Sequence, residues 1–122
     1  GLEVDAKNPA VHLALGDLRA RRGDAAGALA SYEESLRLGG DRIEIAFALG
    51  SLGEFDAANR ALLPLRRSPP KDADYWTIEG HLAAARGDVH AANAAYDRAE
   101  QAGADPAKLE PGRREALLRA TK

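Results

Sequence analysis

The chain has 122 residues, a net charge of −2 at neutral pH and a pI near 5.9, so it is long enough for one compact domain or a short array of repeats. Its basic residues are interleaved with acidic ones along the chain, which argues against a nucleic-acid-binding surface, since such a surface needs a basic patch. Cysteine is absent, and this excludes disulfides, thiolate metal sites and cysteine nucleophiles.

The first two predicted helices are separated by one glycine. Asn8-Pro9 opens the first helix, because asparagine is a good N-cap and proline is favoured at the first helical position. This helix runs to about Arg22. Gly23 can adopt the left-handed conformation that ends a helix. Asp24 then caps a second helix, which runs to about Leu38.

The third and fourth helices are predicted to be less regular. Asp41 caps a short third helix over residues 42–52, and a fourth helix starts near Glu54. Pro64 lies inside the fourth helix, where it removes one backbone hydrogen bond and clashes with the carbonyl of Arg60. We therefore expect this helix to bend or end early. Its predicted apolar stripe is Phe55, Ala58, Ala61, Leu62 and Leu65.

Two further helices follow the Ser68-Pro69-Pro70 segment. Asp72 or Asp74 starts a fifth helix, which ends at about Arg86, and a sixth runs over about residues 88–102. Pairs of neighbouring arginines occur near the predicted helix ends, and we expect them to be solvated there. These pairs are Arg66-Arg67 and Arg113-Arg114.

A last, shorter helix is predicted over residues 113–121, with Leu117 and Leu118 as its apolar contacts. Two start signals precede it, Asp105-Pro106 and Glu110-Pro111. The sequence therefore predicts helices throughout and no strand.

The same pattern of residues occurs three times in these helices. Gly23, Gly53 and Gly87 are 30 and then 34 residues apart. An alanine follows each glycine after five residues, and a large apolar residue follows that alanine after four. These residues are Ala28, Ala58 and Ala92, then Tyr32, Leu62 and Tyr96. A period in this range is typical of helical solenoids.

With this spacing, the chain resembles the tetratricopeptide repeat (TPR) family, whose unit has 34 residues. The first copy matches at Leu15, Gly16, Gly23, Asp24, Ala28 and Tyr32, but His12, Arg19 and Gly40 depart from the pattern. The third copy matches at Trp76, Gly80, Gly87, Asp88, Ala92, Tyr96 and Ala99. The second copy is weaker: it matches at Gly53, Phe55, Ala58, Leu62 and Pro70, but Ala46 replaces its first glycine.

The resemblance implies an all-α, right-handed superhelical solenoid of antiparallel helix hairpins in a single domain covering residues 1–122. The repeats span about 9–38, 41–70 and 73–104, and a capping helix spans about 106–121. Residues 1–8 resemble the end of a preceding repeat, so we expect the native array to extend upstream. An array that has lost a neighbour exposes an apolar face, and this predicts possible self-association.

In the family, the first helix of each repeat lines a concave groove. Carried onto this chain, the resemblance implies a partner-binding groove that includes Leu13, Asp17, Arg21, Ile43, Phe47, Thr77 and His81. Leu13, Ile43 and Phe47 would form an apolar strip with Asp17 and His81 at its edges. Alternatively, the short third helix tilts and buries Phe47 in the core.

Other kinds of site are not supported by the sequence. Some family members bind an acidic C-terminus through lysine and asparagine, but Leu13 and Asp17 occupy those positions here. His12, His81 and His90 lack metal-ligand spacing. No catalytic motif, phosphate loop or cofactor motif is found, so we expect no enzyme activity, cofactor or metal.

The function that the sequence favours is a protein–protein interaction scaffold that binds a peptide or a partner helix. An accessory arm that positions substrates for a larger enzyme is one alternative, and a self-association module is another. We expect no nucleic-acid partner and no membrane insertion, since no apolar run approaches about 20 residues. No targeting segment is visible, so cytoplasm and periplasm remain equally open.

Overall fold

The computed structural model describes residues 6–121 and contains only helical elements in that range. The α-helices are α1 (Pro9–Arg21), α2 (Ala25–Arg37), α3 (Arg42–Ser51), α4 (Phe55–Leu62), α5 (Ala73–Ala85), α6 (Val89–Gln101) and α7 (Pro106–Ala120), and a 3-10 segment covers Leu63–Arg67. Among the described residues there is no strand, so the predicted all-α class is confirmed. Residues 1–5, part of the expected upstream repeat remnant, lie outside the described range. The chain divides into two compact units, unit 1 ending at Pro64 and unit 2 beginning at Leu65.

Short polar side chains fix where most helices begin. In six of the seven, an asparagine or aspartate accepts a hydrogen bond from a backbone N–H of the first turn, a contact that typically contributes about 1 kcal/mol. These caps are Asn8, Asp24, Asp41, Asp72, Asp88 and Asp105. The glycines after α1, α3 and α5 have positive φ, which ends each helix where the sequence predicts.

In unit 1, α1 and α2 form an antiparallel hairpin. The Ser35 hydroxyl, near the end of α2, donates to the carbonyl of Pro9 at the start of α1 at 2.7 Å. Near the turn, Arg19 donates to the Ser31 hydroxyl, also at 2.7 Å. Arg19 therefore links the two helices of this hairpin by a hydrogen bond. On its other side, α2 packs against α3.

The second hairpin of unit 1 is formed by α3 and α4, with Ile45, Leu49 and Leu62 fully buried. α4 ends at Leu62, two residues before Pro64, and the chain continues as the 3-10 segment. The predicted early end of this helix is confirmed. Phe55, by contrast, is 38% exposed and does not belong to the buried stripe.

Unit 2 contains a third hairpin, α5 and α6, with α7 packed against both helices. α7 begins at Pro106, in agreement with the capping helix expected over about 106–121 and not with the shorter helix over residues 113–121. The prediction that Leu117 and Leu118 are its apolar contacts was wrong, since they are 56% and 64% exposed. The buried residues are instead Leu109, Gly112 and Ala116. Their spacing of three and four places them on one helical face, and Leu117 and Leu118 fall outside it.

Candidate functional site

Two hairpins contain the same hydrogen bond between a tyrosine and a residue on the first helix. In α1–α2, the Tyr32 hydroxyl donates to Asp17 Oδ1 at 2.6 Å. In α5–α6, the Tyr96 hydroxyl is hydrogen-bonded to His81 Nδ1 at 2.8 Å. The two residues are 15 positions apart in both cases. The hairpins are thus equivalent in a detail that helix packing alone does not require.

A glycine beside each of these bonds makes room for the tyrosine ring. A Cβ atom on Gly16 would lie 2.6 Å from Cε1 of Tyr32, and one on Gly80 would lie 2.4 Å from Cε1 of Tyr96. Any side chain at these positions would overlap the ring. The α3–α4 hairpin has Ala46 and Leu62 at the corresponding positions, and both are buried. It is therefore packed without a tyrosine.

This arrangement gives Asp17 and His81, both predicted groove residues, a role inside their own hairpins. Arg21 lies four residues after Asp17 on α1, a spacing that allows an ion pair. Within residues 6–121, Asp17 instead accepts its hydrogen bond from Tyr32, and Arg21 is exposed. Sequence spacing finds neighbours on one helix, but it does not show which acceptor a tyrosine on the facing helix reaches.

The apolar strip predicted for the groove lies entirely in unit 1. Leu13 is on α1, and Ile43 and Phe47 are on α3; all three are half-buried. They are neither sealed in the core nor fully open to solvent. Thr77, in unit 2, is also half-buried, and its hydroxyl donates to the carbonyl of Ala73 at 2.7 Å. These placements leave the strip as a candidate binding surface of unit 1.

Burial changes the acid–base properties of the tyrosine pairs. It raises the pKa of Tyr32 well above its usual value, and the hydrogen bond to Asp17 adds to this effect. It also raises the pKa of Tyr96 to about 12, so both hydroxyls stay protonated at neutral pH. For His81, burial lowers the pKa below 6.5, although the negative charge of Glu115 opposes the change.

Comparison with protein-family models, curated proteins and solved structures finds no match for this chain.

Because burial lowers the pKa of His81 in the folded chain relative to the unfolded chain, stability should depend on pH. Unfolding takes up a proton between the lowered pKa and 6.5, so the free energy of unfolding should fall as the pH drops through that window. Urea unfolding of the wild type and of His81→Asn, from about pH 7.5 to about pH 5, measures this. The stability advantage of the wild type should shrink toward low pH. A difference that is constant across the range would show that His81 titrates normally.

Arg113 is a residue whose role the sequence did not predict. It was expected to be a solvated helix-end arginine, but it lies in the middle of α7. Its guanidinium donates to Asn93 at 2.8 Å, Asp97 at 2.8 Å and Glu100 at 3.0 Å, and it lies 5.5 Å from the centre of the Tyr96 ring. All three acceptors are on α6, so Arg113 attaches α7 to the α5–α6 hairpin.

Arg66 is the second arginine that was wrongly predicted to be solvated. It makes a bidentate pair with Glu79 at 3.0 and 2.8 Å, and Tyr75 donates to the same carboxylate at 2.7 Å. Burial tends to raise the pKa of Glu79, but the hydrogen bonds from Arg66 and Tyr75 outweigh it and lower the pKa. The contact fixes the segment after Pro64 to α5. The sequence did not reveal this pair, because Arg66 and Glu79 are 13 positions apart and lie on different elements.

Residues 6–121 contain neither a candidate metal site nor a candidate membrane span. In that part of the chain, no group of three or more His, Asp or Glu side chains is placed to hold a metal ion. No helix there is long and apolar enough to cross a membrane.

Proposed function

We propose that the chain is a protein–protein interaction scaffold built from three TPR-like repeats, α1–α2, α3–α4 and α5–α6, with α7 as a cap. The observation that supports this proposal most directly is the repeated arrangement of a glycine, a tyrosine and the tyrosine's hydrogen-bond partner on the first helix, in α1–α2 and α5–α6. Repeats of this kind bury their apolar faces by stacking on neighbours. We therefore propose that the array is a right-handed superhelical solenoid.

The different contacts of the polar and the apolar side chains support a binding role. The polar residues with the most specific contacts, such as Asp17, His81 and Arg113, join one helix to another. Leu13, Ile43 and Phe47 are apolar and remain half-buried on the first helices of unit 1. A peptide or partner helix that covers this strip would complete the burial of its side chains, which stabilises a complex.

Self-association is the second candidate, and the exposed leucines of α7 favour it. Leu117 and Leu118 are adjacent and more than half exposed, so they offer apolar surface to a second copy. Light scattering over a range of protein concentrations distinguishes this function. A mass that rises with concentration, and that Leu118→Glu returns to the monomer, would support self-association.

A pull-down with two matched variants tests the scaffold proposal. The immobilised chain is compared with Leu13→Glu, which places a charge in the strip, and with Leu118→Glu, which places one on α7. Proteins that are retained by the wild type and Leu118→Glu, but lost with Leu13→Glu, would support the strip as the binding surface. Mass spectrometry of those proteins then names the partner. Equal retention by Leu13→Glu would contradict the proposal.

A further inference from the structure

A second open site in unit 1 lies on helices other than α1. It is a groove of about 320 Å³ between α2, α3 and α4, called here the arginine groove. Its lining residues are Glu33, Leu36, Arg37, Arg42, Leu49, Ala57 and Arg60. None of these residues belongs to the strip of Leu13, Ile43 and Phe47. The groove therefore adds a surface that the proposed function does not use.

Three arginines, one from each helix, line the groove against a single glutamate, Glu33. Arg37 is held by Glu34, one turn earlier on α2, through a bidentate pair whose Nε–Oε2 distance is 2.9 Å. This pair neutralises Arg37. The other charged lining residues are two arginines, Arg42 and Arg60, and one glutamate, Glu33. The groove therefore has an excess of positive charge, although the net charge of the chain is −2.

Arg42 is held in place by the helix that faces it. Its Nη1 donates to the carbonyl of Ala61, in the last turn of α4, at 3.1 Å. The negative end of the α4 dipole favours a cation there. A guanidinium has five N–H donors in a fixed plane, so one contact to a carbonyl leaves the others available to an anion. Arg60, on the same turn of α4, is exposed.

The floor of the groove is apolar. Leu49 is fully buried, Ala57 is 5% exposed, and Leu36 on α2 is half-buried. Apolar side chains at the base and guanidinium groups at the rim suit an apolar residue flanked by carboxylates. A simple inorganic anion would make no use of the floor.

We propose that the arginine groove binds an acidic segment of a partner protein. An apolar side chain of the segment packs on Leu36, above the buried Leu49 and Ala57, and neighbouring Asp or Glu carboxylates pair with Arg42 and Arg60. Pairs between arginine and carboxylate are charge-assisted and directional, and this geometry selects an acidic peptide over a neutral one. The partner would then contact the α2–α4 side of unit 1, independently of the strip.

Fluorescence anisotropy with a fluorescein-labelled peptide of alternating leucine and glutamate tests this site. The whole chain should bind this peptide, and binding should weaken as salt rises because the rim charges are screened. A peptide of alternating leucine and glutamine should bind about tenfold more weakly. Equal binding of the two peptides would overturn the proposal. Competition by millimolar inorganic phosphate that matches unlabelled acidic peptide would also overturn it, by showing a plain anion site.

Arginine variants locate the binding on the chain. Arg60→Gln changes an exposed side chain and should weaken binding of the leucine–glutamate peptide by about tenfold. Arg42→Gln should do the same, and its thermal melt shows whether the loss comes from unfolding. Arg114→Gln removes one exposed charge in unit 2 and is the matched control. Binding that is equal in Arg60→Gln and Arg114→Gln would contradict the assignment, whatever the stability of Arg42→Gln.

Discussion

Gly80→Ala is expected to destabilise the α5–α6–α7 unit by about 2–3 kcal/mol. The added Cβ would lie 2.4 Å from Cε1 and 2.5 Å from Cδ1 of Tyr96, which is fully buried. The ring has little room to retreat, because a Cβ on Gly112 would already lie 2.0 Å from its hydroxyl and 3.2 Å from its Cε2 edge. α5 and α7 thus confine opposite edges of one ring. Urea unfolding measures the loss.

The higher helix propensity of alanine opposes the destabilisation expected for Gly80→Ala, so a control variant must measure it separately. Alanine is favoured over glycine in a helix by about 1 kcal/mol. Ala94→Gly, at an exposed position of α6, measures that preference in this chain and should cost about this amount. If Gly80→Ala instead stabilised the chain by a similar amount, the close packing of Tyr96 against α5 would be contradicted.

Tyr96→Ala is expected to cost about 3–5 kcal/mol, the range for deleting a large buried aromatic side chain. The ring packs with the alanines of α5 and α6 and with Leu109 and Ala116 of α7, so its removal leaves a cavity where the three helices meet. Chemical unfolding, followed by helical circular dichroism, measures the change.

Tyr96→Phe separates the ring from its hydroxyl. This variant keeps the packing and loses only the 2.8 Å hydrogen bond to His81, so it should cost about 1 kcal/mol. If Tyr96→Ala and Tyr96→Phe cost the same, the hydroxyl and not the ring would hold the unit together. That result would refute the packing described for α7.

Local signals in the sequence predicted the helices well, because the groups that start and end a helix lie within a few residues of its ends. Asp24 and Asp88 accept hydrogen bonds from the first turns that follow them, as their positions indicate. Gly23 and Gly87 have positive φ after α1 and α5. Pro64 acts on its own helix, so its effect was also predictable.

The packing at the end of the chain was predicted poorly, because contacts with other helices decide it. The signal at Asp105-Pro106 proved to be the true start of α7, but nothing nearby in sequence shows that Arg113 binds α6. Leucine is usually buried, yet Leu117 and Leu118 point away from the face that packs. The face of α7 that packs is the one whose Gly112 lies against the Tyr96 ring. Tyr96 precedes Gly112 by 16 residues, so the periodicity of α7 alone did not reveal this contact.

The candidate site was predictable only in part. The repeat register places Leu13, Ile43 and Phe47 on first helices, and the structure leaves them half-buried. The same register does not show that Asp17 and His81 bond to tyrosines. A signal for this was present, since in two copies a polar residue that can hydrogen-bond follows the glycine directly and precedes a tyrosine by 15 residues.

The most direct test of the scaffold proposal compares the two phenylalanines of the chain. Phe47→Ala removes the aromatic residue of the strip, and Phe55→Ala, at a 38% exposed position of α4, is the matched control. Each is assayed for thermal melting and for affinity toward a partner identified by the pull-down. We expect Phe47→Ala to melt within about 5 °C of the wild type and to lose about 2 kcal/mol or more of binding free energy. Phe55→Ala should bind normally. A large drop in the melting temperature of Phe47→Ala, or unchanged binding, would contradict the assignment of this strip as the partner-binding surface.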